Sequence, residues 1–234
     1  MSDADARPRG AALPFGLLLV AVVLVSINLR PGASSVGPVL EEVRLGLGMG
    51  AGVAGAMTGL PGLVFGLVGL LAVGFARKVG MTAGIAIGLA AAAAGLLLRV
   101  TTDSVTLFLL LTMLGLAGMA VGNVLVPAWI KAHGHAVVLM TIYGTGLVVG
   151  GSIGPLVTAP VTEATGSWQR GLGMWGLLIA LALPLWAWLA PLPLPMRCAS
   201  HSAMPTTSGP TATSSPRPCC LPSPQFLQTV SATW

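Results

Sequence analysis

The sequence predicts an all-α integral membrane protein with six membrane-spanning helices. Hydrophobic residues make up 55% of the 234-residue chain and charged residues only 7%, whereas soluble domains carry about 25% charged residues. The apolar residues come in runs long enough to cross, as helices, the roughly 30 Å hydrocarbon core of a bilayer. A chain with so few charges cannot cover a globule with polar groups, so we expect a lipid bilayer around it.

Six apolar segments separated by short polar connectors define the expected body of the protein, residues 14–190. The spans are expected at 14–40, 53–75, 81–99, 104–130, 137–160 and 170–190. Because the connectors are short, we expect helices that follow one another in the chain to pack as antiparallel neighbours. Residues 1–13 form a short segment on the cytoplasmic side.

The basic residues predict which ends of the helices face the cytoplasm, because Lys and Arg concentrate in cytoplasmic segments. An N-terminus inside the cell places six basic residues inside and three outside. The inner ones are Arg7, Arg9, Arg77, Lys78, Lys131 and Arg197, and the outer ones are Arg44, Arg99 and Arg170. The sequence therefore favours both termini in the cytoplasm. The net charge of +5 is too scattered for a nucleic-acid interface, so no nucleic-acid partner is expected.

The composition changes abruptly after the last span. Residues 191–234 are rich in Ser, Thr and Pro, a low-complexity composition that cannot bury a core and predicts disorder. All three cysteines, Cys198, Cys219 and Cys220, lie in this tail, so no disulfide framework is expected in the body. Two interpretations of the tail stay open: a genuine segment, or an out-of-frame translation.

The spacing of the glycines predicts where helices pack closely, and the positions of the tryptophans predict which side chains lie at the membrane interface. Small residues at four-residue spacing let helices approach closely in lipid, although simple glycine richness is the alternative. The glycines so spaced are Gly55/Gly59, Gly62/Gly66, Gly84/Gly88, Gly118/Gly122 and Gly146/Gly150/Gly154. Four tryptophans near span ends are expected in an interfacial belt. They are Trp129, Trp168, Trp186 and Trp188.

Motifs that resemble enzyme signatures lack the context that enzymes require. The stretches "GAGVAG" (50–55) and "GLGMWG" (171–176) match a dinucleotide-binding pattern, but neither follows a strand within a βαβ unit. The stretch "GGSIG" around Ser152 lies within an apolar helix rather than at a strand-to-helix turn. His133 and His135 are two residues apart and would not share a helix face. We therefore expect no enzyme activity, no cofactor and no metal.

The stretch "INLRPGASSVGP" (27–38) carries Arg30, the only charged residue between Arg9 and Glu41. In one interpretation the first helix ends near Arg30 and its side chain snorkels to the interface. In the other, which we favour, Arg30 lies buried near mid-membrane and faces a polar cavity, since residues 31–40 contain no charge. Burial of an arginine costs at least about 2.5–3.5 kcal/mol, and no span offers a carboxylate to neutralise it. A solute anion would balance this charge.

Neighbouring polar residues extend this candidate substrate-binding site. Asn28, Ser34 and Ser35 could donate further hydrogen bonds, and Pro31 is expected to break the helix and free backbone carbonyl groups.

Two polar residues in later spans complete the site. Asn123, followed by a second expected helix break at Pro127, and Tyr143 are cavity residues in this interpretation. The alternative is that they bond helices to one another.

Three stretches of the sequence are recognisable together: "NLRPGASSVGPVL" (28–40), "GNVLVPAWIK" (122–131) and "GSWQRGLGMWGLLIALALPLW" (166–186). They resemble the cyanate and nitroimidazole permease family of the major facilitator superfamily. The stretch "GFARKVG" (74–80) is similar to a degenerate form of the basic loop that the superfamily has between its second and third helices. The resemblance covers about residues 14–190.

The resemblance implies a secondary transporter of a small, often anionic solute that works by alternating access in a bacterial inner membrane. It places Arg30, its neighbours and Asn123 along the pathway, and Arg77 and Lys78 in a gating loop. Members of the superfamily have twelve spans in two similar halves, and only the N-terminal six are expected here. Partners would then be the bilayer, the solute, and a second transporter half or another copy of this chain. The alternatives are an inactive half and a membrane scaffold.

Overall fold

All the secondary structure in the described residues is helical. The computed structural model describes residues 14–132 and 135–190, so the segment 1–13, His133 and the tail 191–234 lie outside the described part. The α-helices are α1 (Phe15–Asn28), α2 (Pro31–Ser34), α3 (Leu40–Leu47), α4 (Ala51–Val79), α5 (Met81–Arg99), α6 (Val105–Ala132), α7 (Ala136–Thr165) and α8 (Trp168–Leu189). A short 3-10 helix, Gly37–Val39, lies between α2 and α3.

Six segments of the described chain are long and apolar enough to cross a membrane, which confirms the six expected spans. The first, Phe15–Leu47, consists of α1, α2 and α3 with the 3-10 helix, and each of the long helices α4 to α8 forms one further span. The protein is therefore a multi-pass membrane protein. Its fourth and fifth helices are separated by a single residue, Gly80.

The junction between α4 and α5 differs from the expected gating loop. Arg77 and Lys78 lie in the last turn of α4, where both are exposed. Helix α4 continues through both basic residues and ends at Gly80, whose φ is 95°, a conformation that glycine adopts at little cost. Cations near a helix C-terminus interact favourably with its dipole. The two basic residues therefore extend a helix instead of forming a loop.

Packing does not simply follow chain order. The most extensive helix contacts join α5 to α6, α5 to α8, α4 to α6 and α1 to α7, whereas consecutive α4 and α5 touch much less. Close approach of backbones explains the strongest contact: a Cβ atom at Gly88 of α5 would lie 3.0 Å from the carbonyl oxygen of Gly118 in α6. The expectation that sequence neighbours pack together is therefore only partly correct.

The glycine spacing predicts close packing correctly in α5, α6 and α7. In α7, the stripe of Gly146, Gly150 and Gly154 meets the first span, where side-chain or backbone atoms leave no room for a Cβ. In α4 the spaced glycines do not pack within the described chain, because nothing in it lies within 4 Å of a Cβ at any of the four. These are Gly55, Gly59, Gly62 and Gly66.

Most of the expected tryptophan belt lies inside the bundle. Trp129 and Trp186 are fully buried, Trp168 is 8% exposed, and only Trp188 is largely exposed. The rings of Trp129 and Trp186 meet edge to face with centroids 5.1 Å apart. The Trp129 Nε1–H donates to Thr82 Oγ1 over 3.2 Å. Such contacts satisfy an indole within protein, so a position near a span end does not require a position at the lipid interface.

Candidate functional site

The first span is interrupted at Leu29 and Arg30, directly before Pro31. Pro31 has no N–H to donate, so the Ile27 carbonyl group lacks its ordinary helical donor. This carbonyl oxygen lies against Gly150 of α7, where a Cβ would collide with it. The interruption is thus packed directly against a glycine of the neighbouring helix.

Arg30 is exposed on the surface of the described bundle rather than enclosed between its helices. Its aliphatic stem runs past Gly151 of α7, at which a Cβ would lie 3.5 Å from Arg30 Cδ. In residues 14–132 and 135–190, the ion pair present is that between Arg44 and Glu41, with N···O of 2.5 Å. The Arg30 guanidinium has no carboxylate partner in that part of the chain.

Ser34 ties the short helix α2 to α7. Its Oγ lies 3.2 Å from the Gly151 carbonyl oxygen and 3.3 Å from the Arg30 carbonyl oxygen. Because a hydroxyl has one proton, Ser34 donates to one of these carbonyls and keeps its oxygen as an acceptor. Asn28 turns to its own helix and donates from Nδ2 to the Leu24 carbonyl over 2.8 Å.

Tyr143 of α7 meets Asn123 of α6. The Tyr143 hydroxyl lies 3.1 Å from Asn123 Oδ1 and 3.5 Å from the Asn123 carbonyl oxygen. Pro127, four residues later, deprives that same carbonyl of its helical donor. The helix break expected at Pro127 is absent, since α6 runs unbroken from Val105 to Ala132. A hydroxyl from a neighbouring helix is one way in which membrane helices accommodate proline.

Two of the expected site residues contact each other, since the Tyr143 hydroxyl bonds Asn123 between α7 and α6. Arg30 and Ser34 both border Gly151, which lies on the same helix as Tyr143 but eight residues further along it. Arg77 and Lys78, at the end of α4, take no part in these contacts.

A separate groove of about 250 Å³ lies between α4, α5 and α6 and has only apolar lining. It offers no group that would hold an anion. In the described residues, no three His, Cys, Asp or Glu side chains come together as a metal site.

Sequence reasoning missed Arg99. The sequence predicts it in an outer connector, but the structure makes it the last residue of α5 and leaves none of its surface exposed. Its Nη2 lies 3.5 Å from the Gly32 carbonyl oxygen. Its Nε and Nη1 have no hydrogen-bond partner among the described residues. The only signal available was the apolar run of sixteen residues from Ala83 to Leu98, which leads directly into Arg99 without an intervening polar residue.

No protein-family model matches the chain. Individual relatives do match, and each is a bacterial transport protein. The chain is 33% identical over 184 residues to the uncharacterized transporter YycB of Bacillus subtilis, an alignment that covers 77% of this chain and 45% of the relative. It is 30% identical to the cyanate transport protein CynX of Escherichia coli, over 72% of this chain and 44% of the relative.

A third relative is the 2-nitroimidazole transporter of Escherichia coli, 29% identical over 73% of this chain and 44% of the relative. The chain thus spans a little less than half the length of the curated relatives it matches. The resemblance indicated by the three sequence stretches is confirmed, since the chain is homologous to bacterial transporters that include those named for cyanate and 2-nitroimidazole.

Proposed function

We propose that this protein transports a small, cyanate-like anion across the bacterial inner membrane, with Arg30 as its charge partner. The observation that carries the proposal is the Arg30 guanidinium, exposed at an interruption of an apolar span and without a carboxylate partner in the described chain. A permanent cation is costly in a bilayer, and such residues usually mark a solute pathway. An anion bound at Arg30 would offset that cost.

The surroundings of Arg30 support a site for a small solute. Interrupted helices are where transporters commonly bind substrates, because the interruption exposes backbone groups. Tyr143 and Asn123 supply uncharged hydrogen-bonding groups on the side of α6 and α7. Two of the relatives are named for cyanate and 2-nitroimidazole, both small molecules, and cyanate is an anion.

Alternating access requires a second bundle that moves against the first, and the exposed faces of α4 and α7 are the surfaces we propose for it. Large apolar side chains on both helices are exposed, among them Leu63 (76%), Leu70 (82%) and Leu156 (72%). The glycine face of α4 has room for a closely packed partner helix. The second bundle is another transporter half or a second copy of this chain.

The orientation belongs to the proposal as well. An N-terminus in the cytoplasm puts Arg77 and Lys78 on the cytoplasmic side, at the junction of α4 and α5, where we propose that they act in gating. The orientation is supported by the excess of basic residues on that side. The gating role is supported by the resemblance of residues 74–80 to the basic loop of the superfamily.

The test is uptake of radiolabelled cyanate by liposomes that contain the purified chain. The proposal predicts saturable uptake above empty liposomes, inhibited by a competing anion such as thiocyanate and unaffected by an uncharged solute such as urea. An absence of uptake from well-inserted protein would contradict it and favour an inactive half or a scaffold. Inhibition by urea as strong as that by thiocyanate would refute the charge-based site.

A further inference from the structure

Arg99 is a buried cation that is not part of the proposed transport site. None of its side chain is exposed, and no described carboxylate pairs with it. Nε and Nη1 are unpartnered in the described chain, so only Nη2 has a protein acceptor. A buried charge without a partner weakens a fold. Arg99 is therefore a poor candidate for a residue that contributes only stability.

The acceptor of Arg99 is a backbone carbonyl in the interrupted part of the first span. Gly32 belongs to α2, which has only four residues. Carbonyl groups at the end of a helix lack intrahelical donors and carry partial negative charge, which favours a cation. Pro38 adds to this deficit, because it cannot donate to the Ser34 carbonyl. At 3.5 Å the Nη2 contact is at the long limit of a hydrogen bond.

The same helix α5 also supports α2 by packing. A Cβ at Gly32 would lie 2.7 Å from Leu96 Cδ1 and 3.2 Å from atoms of Met119, so α2 rests tightly on α5 and α6. On its other side, Ser34 bonds α7 and the Arg30 stem lies against Gly151. The segment that carries Arg30 is thus contacted both by the buried Arg99 and by the glycine stripe of α7.

We propose that Arg99 is a positioning residue for transport: it holds the Gly32 carbonyl group of the interrupted segment and so fixes Arg30 and Ser34 where the solute binds. This rests on the proposed function of Arg30. A positioning role for Arg99 differs from a stabilising role in its effect on the free energy of unfolding. Its replacement by an apolar side chain of similar length should leave stability unchanged or raised, because a desolvated charge is removed.

The experiment compares the full chain, in nanodiscs and in liposomes, with Arg99→Met, Arg99→Lys and the control Arg170→Met. Arg170 is an exposed arginine in the first turn of α8. The measurements are the thermal unfolding midpoint, amide hydrogen exchange in residues 32–36, and the half-saturating cyanate concentration. For Arg99→Met we expect an unfolding midpoint at or above that of the wild type. Exchange in 32–36 and the half-saturating concentration should each rise about tenfold.

Arg99→Lys should fall between the wild type and Arg99→Met, because an ammonium also donates to a carbonyl. Arg170→Met should resemble the wild type. Wild-type exchange and saturation in Arg99→Met would overturn the proposal. So would a lower unfolding midpoint with faster exchange in every helix, or an Arg99→Lys variant no better than Arg99→Met. If the wild type takes up no cyanate, the proposed function fails, and local exchange in 32–36 still decides whether Arg99 positions the segment.

Discussion

The hydroxyl of Tyr143 reaches across from α7 to within 3.1 Å of Asn123 Oδ1, at the carbonyl group that Pro127 leaves without a helical donor. This contact supplies a donor to a carbonyl group that the proline leaves without one. It also joins α6 to α7, and α7 borders Arg30 at Gly151, so the contact is both structural and part of the proposed site.

Replacement of Tyr143 by Phe removes this hydroxyl, so the Asn123 oxygens lose a hydrogen-bond donor. We expect a loss of about 0.6–1.5 kcal/mol in the free energy of unfolding, the range for hydrogen bonds in membrane and soluble proteins. The measurement is a double-mutant cycle with Asn123→Leu, in which the free energy of unfolding of each variant is obtained by denaturation of the protein in mild detergent. The two effects should be less than additive. Strict additivity would show that the two side chains do not stabilise each other.

Gly150 should tolerate no side chain, because its Cα faces the Ile27 carbonyl group of the interrupted span. We expect Gly150→Leu to destabilise the protein by about 1–3 kcal/mol through overpacking. Gly144→Leu is the matched control, since a Cβ there meets nothing within 4 Å. The readout is the thermal unfolding midpoint of both variants. Equal midpoints would mean that the first span and α7 do not pack through this glycine.

The glycine face of α4 tests the proposed second bundle. We expect Gly59→Trp to abolish uptake while insertion of the chain stays normal, because the indole fills space that a partner helix needs. The control is Leu71→Trp, an exposed position about 120° around the helix from Gly59. Uptake and cross-linking between differently tagged copies are measured for each. If both variants transport alike, the second bundle does not lie on this face.

Orientation can be measured by thiol labelling from outside intact cells. In a variant whose native cysteines are replaced by serine, Lys78→Cys should react only after the cells are permeabilised. Asp103→Cys, in the connector between α5 and α6, should react in intact cells. Both residues are exposed, so access depends on the side of the membrane. The reverse labelling pattern would invert the proposed topology.

Hydropathy alone predicts the six spans, because length and apolar composition decide whether a helix can cross a bilayer. The same signal cannot distinguish a side chain that faces lipid from one that faces protein. Trp129 and Trp186 are therefore buried where a belt was expected, and the glycines of α4 are open where packing was expected.

Arg99 illustrates a second limit. An arginine at the end of an apolar run is expected in a connector, and only the packing of the helices around α5 buries it. Arg30 shows the converse, since a cation expected to be buried is exposed in the described bundle. Side-chain burial depends on which helices meet, and this is a property of tertiary packing that local sequence does not carry.

The role of Arg30 is tested most directly by the half-saturating cyanate concentration of Arg30→Gln in liposomes, with Arg170→Gln as the control. We expect Arg30→Gln to insert normally, to lose at least about tenfold in apparent affinity, and to be no longer inhibited by thiocyanate, whereas Arg170→Gln should behave as wild type. Wild-type saturation and thiocyanate inhibition in Arg30→Gln would contradict the claim that this guanidinium binds the transported anion.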